Sequence, residues 1–338
     1  MTPDQFNVRY EQLRRQVDRY LTTVIDAGSS GSLDDACRYV LTGGGKRLRA
    51  ILVLLSCEAA GGRRARALPA AAAVEIMHNF TLVHDDIMDH ARTRRGRPTV
   101  HVRWDLNTAL LAGDTLLAVA YEQLLRTDVA DQEALLRLFT RSVIGVCEGQ
   151  ALDLEFERRN DITVDDYYGM IDLKTGLLIS AAAELGARIG GGSSRDVNRL
   201  RTFGRYLGRA FQLQDDLLDV VGDEKQFGKS IGGDILEGKR TFLLLTARER
   251  ARKSDRDMLT RVLRRKTSPP ARTESPAQRR ALIATVRSLY DAYGVIRDTE
   301  DAVMRNTRRA TEALRALSPT VARETLHALA RTLVHRES

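Results

Sequence analysis

The stretch that decides the fold is Leu68 to Asp89, LPAAAAVEIMHNFTLVHDDIMD. It is apolar and alanine-rich for most of its length and ends in aspartates at 85, 86 and 89. Pro69, Glu75, His78 and Asn79 interrupt it, so it falls short of the roughly 18 uninterrupted apolar residues that a membrane span needs. It reads instead as a buried helix over about 68 to 90. A second helix, about 195 to 222, carries the same ending: Phe211-Gln212-Leu213 leads into Asp215-Asp216-Leu217-Leu218-Asp219. Residues four apart share a helix face, so Asp85 projects with Asp89 and Asp215 with Asp219, while Asp86 and Asp216 are turned by about 100°. Carboxylates beside a core are costly unless a cation neutralises them. Oxygen-only ligands point to Mg²⁺, which takes one or two carboxylates and completes its shell with water and substrate phosphate.

The rest of the chain extends this helical reading. Its 338 residues are 43% hydrophobic, 29% charged and 5% aromatic with only 7 prolines, enough for a sizeable core and weighted towards helix. Phe6, Tyr10, Leu13, Val17, Leu21 and Val24 step by threes and fours and mark a first helix to about residue 26. Ser32 with Asp35 reads as an N-cap pair opening a short helix that stops at Gly43-Gly44-Gly45. Further helices are predicted over about 48–60, 107–126, 131–158, 163–189 (opened by Thr163 with Asp166), 240–252, 255–265, 276–293, 297–316 and 319–335. Ser318 would cap the last of these, with Pro319 at its first position. Lys266 to Pro276 is the sole Pro/Ser/Thr-rich stretch and reads as a helix-to-helix loop, not a domain linker. With no repeat and no strand alternation beyond four residues, one all-helical domain with a long central bundle is the expectation.

A formal charge of +8 suggests a polyanionic partner. The chain uses 46 Arg and only 7 Lys, so each Lys marks a place where a compact ammonium is wanted. Gly43-Gly44-Gly45-Lys46-Arg47-Leu48-Arg49 is a glycine-rich turn at a helix start, suited to phosphate but without the GxxxxGK[ST] spacing of a nucleotide loop. Arg94-Arg95-Gly96 follows the first aspartate motif, Lys174-Thr175-Gly176 interrupts an apolar helix, and Lys229, Lys239 and Arg240 follow the second motif. Together these describe a trinuclear Mg²⁺ and diphosphate site above an apolar shaft for a hydrocarbon. Cys37, Cys57 and Cys147 lack CxxC spacing and read as buried thiols. The N-terminal Met1-Thr2-Pro3-Asp4-Gln5 lacks the pattern of a secretory signal, which makes cytoplasm the expected location.

These residues resemble the trans-isoprenyl diphosphate synthase, or polyprenyl synthetase, family of the short-chain farnesyl and geranylgeranyl type. The likeness rests on GGGKRLR at 43–49, HNFTLVHDDIMD at 78–89, RRGRPTVH at 94–101, LKTG at 173–176 and FQLQDDLLDVVGDEKQFGKSIGGDILEGKRT at 211–241, in the family's order. It implies an all-α, single-domain antiparallel bundle of the isoprenoid synthase type over residues 1–338, with a central active-site cavity. The motif-bearing core would span about 40–245, and C-terminal helices would follow over 254–335 with a loop at 266–276. The activity implied is head-to-tail condensation of isopentenyl diphosphate with an allylic diphosphate (dimethylallyl, geranyl or farnesyl) through an allylic carbocation. Three Mg²⁺ ions would be held by Asp85, Asp89 and Asp215, with Asp86, Asp216 and Asp219 in support. Arg94, Lys174, Lys229 and Lys239 would contact the allylic diphosphate, and Lys46, Arg49, His78 and Arg95 the isopentenyl diphosphate. Gln212, the Lys174 carbonyl and the Thr175 hydroxyl would stabilise the cation, and the assembly would be a homodimer. A class I terpene cyclase would carry NDxxSxxxE where this chain has its second aspartate motif, a non-catalytic subunit would have damaged motifs, and no nucleic-acid-binding motif is present.

Product length should be set below the first motif. Phe80 lies five residues before Asp85, about 7.5 Å along the helix, where a ring would stop a growing chain, whereas Thr81 is small enough to let it pass. A C20 product is favoured, C15 next, with Met77 also near the floor.

Overall fold

The structure, a computed structural model, describes residues 1–25, 31–222, 231–265 and 274–334. The chain packs as two compact units. The first contains residues 1–143, 178–204 and 313–329; the second contains residues 144–177, 205–312 and those from 330 onward.

In the first unit, α1 (Pro3–Leu21), α2 (Ser32–Leu41), α3 (Leu48–Ala59), α4 (Arg64–Met88), α5 (Val100–Arg103) and α6 (Leu106–Leu125) follow in order. α3 is apolar through its middle, and Ile51, Leu52, Val53, Leu54 and Leu55 are fully buried, so it forms the centre of this unit. α4 packs its Ala70–Ala73 run into the same core. Between α4 and α5 a two-stranded hairpin, β1 (Thr93–Arg94) and β2 (Arg97–Pro98), pairs Arg94 with Arg97. Its two turn residues, Arg95 and Gly96, both have positive φ, the pattern of a type I′ turn. Strand propensity could not have announced a hairpin this short.

α7 (Gln132–Phe156) begins in the first unit and ends in the second. The second unit then holds α8 (Val164–Ile171) and, directly after it, a π turn at Asp172–Gly176; α9 (Leu177–Ile189) follows in sequence and from residue 178 onward belongs to the first unit. The predicted single helix over 163–189 is therefore broken in register at the Lys174-Thr175-Gly176 interruption. Thr163 and Asp166 do form the reciprocal cap read from the sequence. α10 (Ser194–Val221), which from residue 205 onward belongs to the second unit, carries the second aspartate motif there, and α11 (Gly233–Glu237), α12 (Phe242–Arg250), α13 (Lys253–Leu263), α14 (Pro276–Ala292) and α15 (Val295–Leu314) as far as residue 312 complete the unit; α16 (Val321–Val334), assigned to the first unit as far as residue 329, comes last in the chain. Leu217, Val220, Leu243, Leu244, Val286 and Tyr290 form one core cluster in the second unit, and Phe156, Tyr167, Phe242 and Val303 belong to another. At ~1.5–3 kcal/mol for each large apolar side chain, such clusters dominate the stability of the bundle.

Two caps differ from expectation. α2 starts at Ser32 itself with Gly31 as its cap, which places Ser32 inside the helix, where it cannot cap. α16 starts later than predicted, because Thr320, not Ser318, receives the Arg323 amide at 3.1 Å. Cys37 and Cys57 are buried, and burial pushes both thiols up to about 11. Cys147, predicted to be buried, is exposed because it falls on the outer face of α7. Among the described residues no helix is long and apolar enough to cross a membrane.

Candidate active site

In the first unit, the glycine-rich turn is bent by Gly44 (φ 75), Gly45 (φ 124) and Arg47 (φ 51). A Cβ at Gly45 would sit 2.9 Å from the Arg95 guanidinium carbon, so glycine is what lets Arg95 lie against this turn and donate to the Gly44 carbonyl. Arg47, only 3% exposed, anchors the turn from inside. Its guanidinium donates to Asp18 on α1 at 2.8 Å, to Glu75 on α4 at 3.3 Å and to the Leu41 carbonyl at 2.6 Å. That buried ion pair holds a left-handed arginine that would otherwise cost about 1 kcal/mol or more. It leaves Lys46 exposed and sets Arg49 at the start of α3, where Arg49 Nη1 lies 3.1 Å from His78 Nε2. An arginine can only donate, so Nε2 carries the lone pair. Desolvation first, then the Arg49 charge and its neighbours, holds His78 well below its usual range and therefore neutral.

Asp85 is half-buried and Asp89 exposed at the end of α4. Asp86, turned away from them as the helix period requires, is buried and accepts from Arg94 Nε at 2.7 Å. Burial pushes this carboxyl up, and Arg94 pulls in the opposite direction. A recess of about 420 Å³, lined by Gly43, Asn79, Asp86, Arg94, Arg95 and Arg97 among others, opens beside these groups. Further back on α4, Met77 is fully buried, and Phe80, 7% exposed, meets the His84 ring edge-on at 5.0 Å. Thr81 is half-buried and donates its hydroxyl to the His78 carbonyl at 2.8 Å.

In the second unit a relay of neutral donors runs to the second motif. Thr175 donates its hydroxyl to Gln212 Oε1 at 2.8 Å, and Gln212 Nε2 donates to Asp216 Oδ1 at 2.9 Å. Tyr167 donates to the other Asp216 oxygen at 2.7 Å. Asp215 stands half-buried beside this relay. Asp219 receives the Asp234 amide at 3.0 Å. Lys239 Nζ lies 3.3 Å from Asp234, whose charge raises the lysine well above its usual value, and Lys174 Nζ lies 2.5 Å from Asp153. Burial and the Asp234 charge raise the Asp216 and Asp219 carboxyls. Lys229 lies outside the described residues.

Among the described residues no three His, Cys, Asp or Glu side chains converge to hold a metal by themselves. The donor set still suits Mg²⁺: carboxylate oxygens only, with the middle aspartates tied to protein partners and the outer ones set by the helix period on another face. That is what an ion completed by water and phosphate oxygens requires.

The sequence model of the polyprenyl synthetase family matches residues 30–278. The chain belongs to the polyprenyl synthetase family. It is similar to a short-chain isoprenyl diphosphate synthase of Methanothermobacter thermautotrophicus, 40% identical over 303 residues that cover 89% of this chain and 90% of that one. It is 38% identical to a geranylgeranyl diphosphate synthase of Saccharolobus solfataricus over 312 residues, 91% of this chain and 92% of that one. The crystal structure of a geranylgeranyl pyrophosphate synthetase from Pyrococcus horikoshii superimposes with a TM-score of 0.91 at 36% identity, covering 99% of each chain. The all-α fold and the trans-prenyl diphosphate synthase activity read from the motifs hold accordingly, over the cyclase and regulatory-subunit alternatives.

For this polyprenyl synthetase the structure adds partners that the motifs did not name: Asp153 for Lys174, Tyr167 for Asp216, Asp234 for Lys239 and Asp219, and Arg47 with Glu75 behind the glycine-rich turn. Asp234 stood in plain view within Gly232-Gly233-Asp234, and the other partners are joined to theirs only by tertiary packing.

Proposed function

We propose that the enzyme is a cytoplasmic, homodimeric geranylgeranyl diphosphate synthase that extends an allylic primer with isopentenyl diphosphate to a C20 all-trans product, with C15 as the next candidate. The observation that carries the mechanism is the Thr175–Gln212–Asp216 relay. Because the Thr175 hydroxyl proton is committed to Gln212, the threonine oxygen keeps its lone pairs for a cation, and the Lys174 carbonyl supplies a second dipole beside it. Arg94, Lys174, Lys229 and Lys239 bind the allylic diphosphate, and Lys46, Arg49, neutral His78 and Arg95 bind isopentenyl diphosphate.

Asp85, Asp89 and Asp215 would hold three Mg²⁺ ions, with Asp86, Asp216 and Asp219 setting their orientation; bound there, the ions supply positive charge that offsets the charge of a departing diphosphate. The allylic C–O bond breaks with its electron pair leaving on the diphosphate, and the cation is stabilised by the Thr175 and Lys174 oxygens. The isopentenyl double bond forms the new C–C bond, and the proton then lost passes to the released diphosphate. No side-chain base is required.

Dimerisation is supported by α6, where Leu106, Leu110, Leu111, Ala118 and Leu125 are all exposed along one side of the helix. A second copy is the occupant that would cover this stripe, and Leu110→Arg should yield monomers by sedimentation. The C20 assignment is supported by the geranylgeranyl synthases among the relatives and by Phe80 and Thr81 before the first motif. Incubation with Mg²⁺, isopentenyl diphosphate and each of dimethylallyl, geranyl and farnesyl diphosphate, followed by sizing of the products, tests the proposal. Chelation of divalent metal should abolish turnover, and cyclic hydrocarbon released without isopentenyl diphosphate would return the cyclase reading.

A further inference from the structure

The π turn at Asp172–Gly176 is held from three sides, all within the second unit. On α7, a Cβ at Gly149 would lie 2.3 Å from the Lys174 amide nitrogen and 2.7 Å from its Cα. On α10, a Cβ at Gly208 would lie 2.6 Å from the Gly176 Cα. Both clashes are with backbone, which cannot swing aside as a flexible side chain could. The third hold is charged. Asp172, the first residue of the turn, receives two hydrogen bonds from Arg209, at 2.5 and 2.6 Å, and one from Arg205 at 2.9 Å. The Arg209 guanidinium is itself placed over the Tyr168 ring at 5.2 Å. Gly208, Gln212 and Asp216 are spaced by four, so one face of α10 meets the turn through Gly208, through Gln212 at Thr175, and continues into the second motif.

A π turn inserts one residue into the helical ladder and is tolerated when its surroundings fix it. The insertion shifts the register at Lys174 and Thr175, the two positions whose oxygens the mechanism uses. We propose that Gly149, Gly208 and Asp172 are positioning residues for the prenyl transfer: they fix the π register that presents the Lys174 carbonyl and the Thr175 hydroxyl oxygen to the allylic cation. This rests on the assignment of those two oxygens to the cation, made above.

The test compares Gly208→Ala, Gly149→Ala, Asp172→Asn and Thr175→Val in the full-length enzyme with Mg²⁺. Two ligands are titrated against each variant: an unreactive allylic thiodiphosphate, and an ammonium analogue of the allylic cation together with inorganic diphosphate. If the turn positions the cation-stabilising oxygens, all four variants lose kcat by about tenfold or more, with KM for both substrates within about threefold. The ammonium analogue then binds at least tenfold more weakly while the thiodiphosphate changes less than about twofold. Mere loss of structure would weaken both ligands together, and that outcome overturns the proposal. If Thr175→Val loses the discrimination and the glycine and Asp172 variants keep it, the positioning role fails while the cation assignment stands. If Thr175→Val keeps it, the cation assignment fails and the positioning role with it. Asp172→Asn adds no heavy atom, so it decides the matter should an alanine variant fail to fold.

Discussion

The two aspartate motifs have the same spelling and opposite surroundings. On α4 the middle residue, Asp86, is neutralised by a cation, Arg94, at 2.7 Å. On α10 the middle residue, Asp216, is held by a phenol and an amide, Tyr167 at 2.7 Å and Gln212 at 2.9 Å, and it also feels the charge of Asp234. The first arrangement lowers the net negative charge of its motif. The second satisfies the carboxylate's lone pairs with neutral donors, while burial and the Asp234 charge raise the carboxyl and the Lys239 charge pulls the other way. A motif read as letters cannot show this, because a carboxylate's charge balance is set by its partners. The first motif is suited to fixing its middle carboxylate with a cation, and the second to fixing it with neutral donors while the charge of Lys239 acts on Asp216 and Asp219 from nearby.

The largest test of that comparison removes an outer aspartate from each side. Asp85→Ala and Asp215→Ala should each lower turnover by at least about a hundredfold with the fold retained, because leaving-group charge then goes unstabilised. Steady-state rates and circular dichroism check it, and normal turnover in either variant would remove that motif from the metal site. Smaller effects should separate the substrates. Lys46→Ala and Arg95→Ala should raise KM for isopentenyl diphosphate by about tenfold, each removing a charged contact worth ~1.4 kcal/mol or more. Lys229→Ala and Lys239→Ala should impair the allylic half-reaction. Equal effects on both substrates from all four would dissolve the assignment.

Breaking the middle-aspartate contacts sharpens the contrast further. Arg94→Gln leaves Asp86 buried without its cation and should cost about 2 kcal/mol of stability, held to that by the partial exposure of the arginine. Tyr167→Phe removes one of two neutral hydrogen bonds to Asp216 and should cost about 1 kcal/mol. Denaturant titrations would show the order, and a larger loss from Tyr167→Phe would mean that the neutral cage, not the ion pair, is the stronger constraint.

Much of this was legible in the sequence, for reasons that also mark the limit. α4 and α10 were readable because long apolar periods end in charges that no core accepts. The Thr163–Asp166 cap was readable because its donors and acceptors lie within one helical turn. The π turn was not: Leu173, Leu177 and Leu178 keep the apolar pattern intact through a one-residue shift in register. The hairpin at Thr93–Pro98 was hidden because Arg95-Gly96 lacks the usual Asn-Gly or Asp-Gly signal. Asp153, Tyr167 and Glu75 are ordinary helix residues until packing brings Lys174, Asp216 and Arg47 to them.

The last contrast lies behind the motifs. Five residues before Asp85 stands Phe80, with Thr81 after it; five residues before Asp215 stands Ala210, with Phe211 after it. The bulky and small positions are exchanged, so on each helix the ring stands at a different distance from its own motif, five residues on α4 and four on α10, a difference of about 1.5 Å along the axis. Counted from its own motif, Phe80 is the more distant ring; it is nearly buried and packs edge-on against His84. On the chain-length role proposed for Phe80, a chain growing past Thr81 would meet that ring after a few isoprene units. Phe80→Ala should therefore lengthen the main product by one or more C5 units while leaving the first condensation within about threefold, since the ring lies about 7.5 Å along the helix from Asp85. The vacated volume would cost about 3 kcal/mol of stability, less where prenyl chain refills it. Chromatography of the products from a folded Phe80→Ala enzyme gives the answer. An unchanged distribution would move the floor to Met77 or to α6 near Leu110–Ala120, the next positions to substitute.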